Sequence, residues 1–439
     1  MMRLKRVLGW CVGIVVVVGA AGLWYSSHPE IEPLNVKNPA KFSEKQIARG
    51  KLLADTGDCA VCHTSKDGVT NAGGLAIEIP FGTIYTTNIT PDVETGIGDW
   101  SFEAFKRAMR EGIDRKGNYL YPAFPYTAFT KTTDADLEDL YAYLMSQTAV
   151  KSDNPVTDLS FPFNIRRGIS AWNLLFLSPG AYQPDTAQSE EWNRGAYLVE
   201  GLGHCSACHT PRNLMFAEKT GDDYLGGGVA EGWIAPALNR NTPSPIGWNK
   251  DELVEYMRTG FSANHGVAAG PMAPVVKEGL SVQSDADLMA IATYLVSFQD
   301  PKGKVADGDR AKAAADINQQ AYSRVEPLTT QGARIFSGAC MACHNQSGGP
   351  VLNGVNPSIA LNSNLYESVP DNMIHIVLNG VQSPASDKLG YMPAFRYNMN
   401  DQQIVALLSY LREDFAKQPA WPGLAERVKQ IRLETEKDN

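Results

Sequence analysis

The chain has 439 residues, 44% of them hydrophobic, with a formal net charge of -9 and a pI near 5.4. That length suits about three ordinary domains, and the acidic balance, without any basic stripe interleaved with aromatics, excludes nucleic acid as a partner. Six of the seven cysteines fall into three pairs of one spacing and the seventh, Cys11, lies in an apolar N-terminal stretch, so no pair remains for a structural disulfide.

Arg3, Lys5 and Arg6 precede an apolar run from Val7 to Tyr25, about the twenty residues that a membrane helix needs. Basic residues ahead of the run place the N-terminus in the cytoplasm and the remainder outside. Residues 1–27 are expected to be a retained anchor with Trp24 and Tyr25 as interfacial aromatics. The alternative is a signal peptide cleaved near Val18-Gly19-Ala20. Cys11 is not a lipoprotein cysteine, because it precedes the apolar core and Trp10 stands where a small residue is required.

Three repeats follow. Each opens on a helix-like approach: Arg49-Gly50-Lys51-Leu52-Leu53, Arg194-Gly195-Ala196-Tyr197-Leu198 and Gly332-Ala333-Arg334-Ile335-Phe336. Each then carries one pattern: Cys59-Ala60-Val61-Cys62-His63, Cys205-Ser206-Ala207-Cys208-His209 and Cys340-Met341-Ala342-Cys343-His344. A lone Cys-x-x-Cys suits a redox disulfide, and with histidine it suits part of a zinc site, but the further ligands that zinc needs are missing around every copy. Two thiols one short turn apart can each form a thioether to a haem edge while the following imidazole reaches the iron. The reading is three covalent haem c sites, at Cys59, Cys62 and His63, at Cys205, Cys208 and His209, and at Cys340, Cys343 and His344. Covalent haem attachment fits the bacterial periplasm and hence an exported chain.

Each repeat closes on a helix with apolar residues at one spacing: Leu137, Leu140, Tyr143, Leu144; Leu288, Ile291, Tyr294, Leu295; Ile404, Leu407, Tyr410, Leu411. The spacing puts each set on one face. Thr133 with Asp136, Ser284 with Asp287 and Asn400 with Gln403 are placed to cap the first turn as capping boxes. The expected fold is mainly α, with three tandem cytochrome c-type haem domains at 40–150, 189–300 and 327–418. A connector at 151–188, a linker at 301–326 and a tail at 419–439 complete it. Within the connector, Ile169-Ser170-Ala171-Trp172-Asn173-Leu174-Leu175-Phe176-Leu177 is too apolar for a solvated linker. It is expected to pack between haem domains as ordinary core, the alternative being contact with a membrane surface or partner subunit. The tail, with Trp421, Leu424, Val428, Ile431 and Leu433, reads as a docking helix or a capping surface helix.

Methionine opposite histidine raises a haem's reduction potential. Met392, in Gly390-Tyr391-Met392-Pro393, and Met272, in Gly270-Pro271-Met272-Ala273-Pro274, both lie before a closing helix and are expected as sixth ligands. The first repeat has Tyr121-Pro122-Ala123-Phe124-Pro125-Tyr126 there, and phenylalanine cannot ligate iron. Met109 follows Trp100 by the spacing that separates Met257 from Trp248, in a repeat that already has Met272, which favours a core role for Met109. The first iron is therefore expected to be five-coordinate, or to be bound by a residue that moves in. His204 is expected on the haem helix, His265 in a loop and His375 in an apolar helix; none has companions that make a metal or acid-base site.

These residues resemble the tri-haem cytochrome c subunits of bacterial membrane-bound dehydrogenases. The likeness covers nearly the whole chain after the apolar run, including Gly57-Asp58-Cys59 through Thr64, Tyr85-Thr86-Thr87-Asn88-Ile89-Thr90-Pro91-Asp92, Thr95-Gly96-Ile97-Gly98, and Asn193-Arg194-Gly195-Ala196-Tyr197-Leu198. Members that partner PQQ alcohol dehydrogenases or flavin-dependent sugar and gluconate dehydrogenases usually have methionine at the Phe124 position. The form Tyr121 to Tyr126 is more similar to the branch accompanying molybdopterin hydroxylases, such as periplasmic aldehyde dehydrogenases and isoquinoline or nicotinate oxidoreductases. The resemblance implies an electron relay: a separate catalytic subunit oxidises substrate, electrons cross three haems, and ubiquinone or a terminal oxidase accepts them at the periplasmic face of the inner membrane. No dinucleotide loop or nucleophile constellation is present, and no cysteines remain for an iron-sulfur cluster, so no catalytic residue is assigned. Two other classes are weighed against this: a peroxidase-like enzyme using an open first haem, which the apolar surroundings of Phe124 disfavour, and a freestanding carrier between a quinol-oxidising complex and an oxidase.

Overall fold

A computed structural model describes residues 22, 25–34, 41–299, 309–322, 328–344, 357–381 and 390–436. The expected anchor or signal segment lies mostly outside them; among the described residues no helix is long and apolar enough to cross a membrane. In chain order the main helices are α1 Glu44–Thr56, α2 Phe102–Glu111, α3 Asp134–Ser146, α4 Ile169–Phe176, α5 Glu190–Glu200, α6 Lys250–Thr259, α7 Asp285–Val296, α8 Arg310–Tyr322, α9 Gln331–Ile335, α10 Asp371–Asn379, α11 Asp401–Tyr410 and α12 Leu424–Glu436. The short strands are β1 Ala76–Ile79, β2 Gly82–Tyr85, β3 Asp158–Leu159, β4 Gly228–Ala230, β5 Trp233–Ala235, β6 Phe261–Ser262 and β7 Gly266–Val267. The fold is thus mainly helical, with β1-β2-β3 one antiparallel sheet and β4-β5 and β6-β7 hairpins.

The chain forms two compact units, one of Met1–Ala54 with Cys62–Gln183, the other of Asp55–Val61 with Pro184–Asn439. The same helix pairing recurs in all three repeats. The closing helices α3, α7 and α11 bury the expected face, with Leu137, Leu140, Leu288, Ile291, Ile404 and Leu407 all at 4% exposure or less. An approach helix crosses each one at a glycine. A Cβ on Gly50 would sit 1.9 Å from the Asp139 carbonyl oxygen, on Gly195 2.0 Å from that of Ala290, and on Gly332 2.2 Å from that of Ala406. The next obstacles are the Cβ atoms of Tyr143, Tyr294 and Tyr410, so the tyrosine of each closing helix covers the glycine of its approach helix. Only a residue without a side chain permits backbones this close.

Capping departs in part from expectation. Thr133, Ser284 and Asn400 each accept a hydrogen bond from the backbone N–H of Asp136, Asp287 and Gln403, but only Asn400 and Gln403 complete a reciprocal box. The two aspartates serve another partner: Arg49 reaches Asp136 at 2.6 Å, and Arg194 reaches Asp287 at 2.7 Å. These ion pairs tie approach helix to closing helix where the third repeat keeps a local cap instead. The expectation that His204 lies on a haem helix is also corrected, because the pattern does not continue the approach helix. The first two patterns occupy separate short turns, Cys59–Cys62 and Ser206–His209, and His204 precedes its turn with φ +33. In the third repeat a π turn, Phe336–Cys340, leads directly into the pattern.

The second and third repeats both lie in the second unit. The Asn372 carboxamide on α10 accepts from the N–H of Ile234 on β5 at 2.8 Å and donates to its carbonyl at 2.8 Å, as a paired strand would. Trp233 beside it stacks on His375, with ring centroids 4.6 Å apart. The third core also outgrows residues 327–418: Ala321 of α8 and Trp421, Leu424, Val428 and Ile431 belong to it, so α12 caps this core while Leu433 is 52% exposed.

The connector helix α4 is ordinary core only in part. Ile169 packs with Ile113 and Tyr119, and Asn173 is buried, but Leu174 is 69% and Leu175 63% exposed.

Candidate functional site

The three histidines of the repeated pattern share one second contact. His63 Nδ1 lies 2.6 Å from the Thr87 carbonyl oxygen, His209 Nδ1 2.8 Å from that of Pro236, and His344 Nδ1 3.1 Å from that of Pro357. A carbonyl can only accept, so each Nδ1 carries the proton and each Nε2 presents its lone pair, the tautomer a metal requires. Burial pushes all three imidazoles below their ordinary pKa, which holds them neutral. Burial likewise pushes the Cys205 thiol up to about 12 and that of Cys340 to about 11. The six cysteines form no disulfide.

The third site is the most complete. Cys340, Cys343 and His344 line an apolar cavity together with Met392, Phe336, Leu407 and Leu411. Met392 is held there by a reciprocal backbone pair with Val381, at 3.1 and 3.0 Å, that pins its loop to the end of α10. Thiols, a neutral imidazole and a thioether converging on one apolar cavity fit a covalently attached haem.

In the second repeat the β4-β5 hairpin gathers the candidate residues. Gly228 on β4 is pressed so closely on the Cys208 carbonyl that a Cβ would meet it at 2.3 Å, and Pro236, just past β5, holds His209. Trp233 on β5 lies against Gly270, where a Cβ would fall 2.4 Å from its ring, and Met272 opens the short turn that follows. One hairpin thus seats both the imidazole and the methionine loop.

The first repeat differs at the segment from Tyr121 to Tyr126. The Phe124 ring packs edge-on to Phe129, with centroids 5.3 Å apart, and Tyr126 commits its hydroxyl to Asn173 Oδ1 at 2.6 Å. Met109 is buried on α2 and Met257 on α6, both in the core role expected of Met109. Of the other histidines, His204 Nδ1 bonds the Leu202 carbonyl, His265 stacks on Trp248 and contacts Ser244, and His375 stacks on Trp233. Among the described residues no cluster of three or more His, Cys, Asp or Glu side chains could hold a separate metal ion.

The carbonyls of Thr87, Pro236 and Pro357 are the residues that reading the chain did not single out as functional. Thr87 lies inside the quoted Tyr85–Asp92 stretch, but nothing local marks its carbonyl as a histidine partner. Two of the three acceptors are prolines, whose place in a loop leaves the carbonyl outside any ladder.

Residues 47–148 match the cytochrome c family and residues 327–411 match the family of cytochrome c oxidase, cbb3-type, subunit III. The chain is 51% identical over 433 residues to a subunit of the nicotinate dehydrogenase of Pseudomonas putida, covering 98% of this chain and 36% of that relative, so it spans about a third of that protein's length. It is 38% identical over 411 residues to the fructose dehydrogenase cytochrome subunit of Gluconobacter japonicus, covering 90% of this chain and 84% of the relative. It is 34% identical over 402 residues to the cytochrome c subunit of the quinone alcohol dehydrogenase of Gluconobacter oxydans, covering 89% and 82%. The chain therefore belongs to the cytochrome c subunits of dehydrogenases, electron-transfer proteins with covalent haem c rather than catalysts of substrate oxidation.

Proposed function

We propose that this chain is a membrane-associated periplasmic relay with three covalent haems, passing electrons from a partner dehydrogenase to ubiquinone or a terminal oxidase. The observation that carries the reading is the threefold Cys-x-x-Cys-His pattern whose imidazole is held each time through Nδ1 by a backbone carbonyl. Cys59 and Cys62, Cys205 and Cys208, and Cys340 and Cys343 would hold the haems covalently through their thiols, and His63, His209 and His344 would bind the irons through Nε2. Met272 and Met392 would offer thioethers to the second and third irons, and Phe124 offers none at the first. When bound, haem would supply a one-electron couple; the chain's own residues fix the imidazole tautomer at each site and wall the third site with apolar side chains. A pyridine haemochrome assay giving three haems per chain supports this; two haems would refute it.

The partner proposed is a dehydrogenase of the molybdopterin and iron-sulfur type. Phe124 in place of methionine favours that branch, as does the greater likeness to the nicotinate dehydrogenase subunit than to the fructose or alcohol dehydrogenase subunits. Cofactor analysis of the complex that co-purifies from solubilised membranes tests it. Molybdenum with iron-sulfur clusters supports the assignment, whereas flavin or PQQ overturns it and moves the substrate class to sugars or alcohols.

A further inference from the structure

The helix α4 buries a polar residue and turns part of its apolar surface outward. A helix on a soluble surface turns polar residues outward and apolar ones inward. Here the polar Asn173 points in, its Oδ1 accepting from Tyr126 Oη at 2.6 Å and its Nδ2 donating to the Glu111 carbonyl at 3.2 Å. The apolar Leu174 and Leu175 point out, at 69% and 63% exposure. The preceding stretch, residues 161–168, is exposed throughout, with Phe161 at 78%, Phe163 at 43% and Ile165 at 52%. Exposed large apolar side chains gathered in so short a stretch of chain mark a contact with something apolar.

Two further observations choose the occupant. From Phe161 to Pro184 the only charged residues are Arg166 and Arg167, on a chain whose net charge is -9. Arginines at the margin of an apolar, aromatic face match the headgroups of anionic lipid. The second observation is the path of the chain after the apolar run that ends at Tyr25. His28 Nε2 lies 2.8 Å from Tyr119 Oη, and Arg115 pairs with Glu30 at 2.8 Å. Tyr119 packs with Ile169 of α4, and Arg166 donates to the Tyr119 carbonyl at 3.2 Å. Tyr25 is only about 10 Å of extended chain from His28. The apolar run thus ends beside the element that carries the outward leucines.

We propose that the face of the first unit formed by Phe161, Phe163, Ile165, Leu174 and Leu175 is seated in the interfacial layer of the lipid bilayer. This rests on the membrane-associated reading above and deepens it: the first unit lies on the bilayer through its own surface as well as through the apolar run.

The test is photolabelling of the full-length holoprotein in vesicles of phosphatidylethanolamine and phosphatidylglycerol that contain a diazirine-bearing lipid, with the labelled peptides identified by mass spectrometry. Label on residues 161–176 is expected, with or without label on residues 7–25. In the double variant Leu174→Ser and Leu175→Ser, checked for unchanged haem spectra, label on 161–176 falls at least about tenfold while label on 7–25 is unchanged. Label on 7–25 but not on 161–176 overturns this inference and leaves the membrane-associated reading intact. Label on neither overturns that reading itself. Protection of 161–176 by a co-purified dehydrogenase rather than by lipid makes the face a protein interface and also overturns the inference.

Discussion

Replacing Gly195 by alanine tests the helix crossing on which each repeat is built. The new methyl carbon would stand 2.0 Å from the Ala290 carbonyl oxygen and 2.8 Å from Tyr294 Cβ, where ordinary contact begins near 3.4 Å. Both obstacles are rigid, one being backbone and the other the root of a fully buried ring, so α5 must move off α7 by about 1.4 Å, the difference between 3.4 and 2.0. A gap of that size forfeits a quarter to half or more of the contact energy of side chains across the crossing. Overpacking of this kind costs about 1–3 kcal/mol, and the better helix propensity of alanine returns about 1 kcal/mol. The steric cost falls at the high end here because backbone cannot rotate away, giving a net loss of about 2 kcal/mol. For a unit of this size that lowers the midpoint of thermal unfolding by about 4–8 °C. Circular dichroism of the holoprotein reads it, with Gly168→Ala as the control: nothing lies within 4 Å of a Cβ there and φ is -61, so that variant should be neutral or slightly stabilised. A Gly195→Ala protein as stable as the control would refute the claim that this close approach is required.

Met392→Leu should leave the third site without a thioether, lowering the potential of one haem and adding one carbon-monoxide-reactive haem to the reduced spectrum; an unchanged redox titration would exclude Met392 as a ligand. Phe124→Met is expected to act in reverse at the first site, raising one potential and removing a carbon monoxide response, and a variant spectrum identical to the parent would place Phe124 away from the iron. Glu367 gives a pH dependence. Burial pushes its carboxyl from 4.5 up to about 7 against the opposing pull of Arg412. Its folded pKa is therefore above the unfolded one, so the folded state is favoured below about 4.5 and loses stability as pH rises through 7. Glu367→Gln should be more stable than the parent by about 2–3 kcal/mol at pH 8 and equal to it at pH 4.5, as read by denaturant unfolding at both pH values.

What the chain determined by itself is whatever depends on neighbours a few residues apart. The Cys-x-x-Cys-His spacing, the faces of α3, α7 and α11, the one-way caps by Thr133 and Ser284, the full capping box of Asn400 and the buried place of Met109 are all of this kind. Covalent geometry and helical period set these contacts before any tertiary contact forms. Tertiary structure decided whatever needs a partner from elsewhere in the sequence. It set Thr87, Pro236 and Pro357 against the three imidazoles, drew Asp136 and Asp287 from a local cap to Arg49 and Arg194, and joined the second and third repeats through Asn372 and His375. It also decided the orientation of α4. The run Ile169 to Leu177 carries its polar residues, Ser170 and Asn173, three apart on one face, and periodicity alone would turn that face to solvent. The choice fell to Asn173, whose carboxamide finds the Tyr126 hydroxyl and the Glu111 carbonyl only in the folded chain, and a buried amide left without such partners would cost about 1–3 kcal/mol.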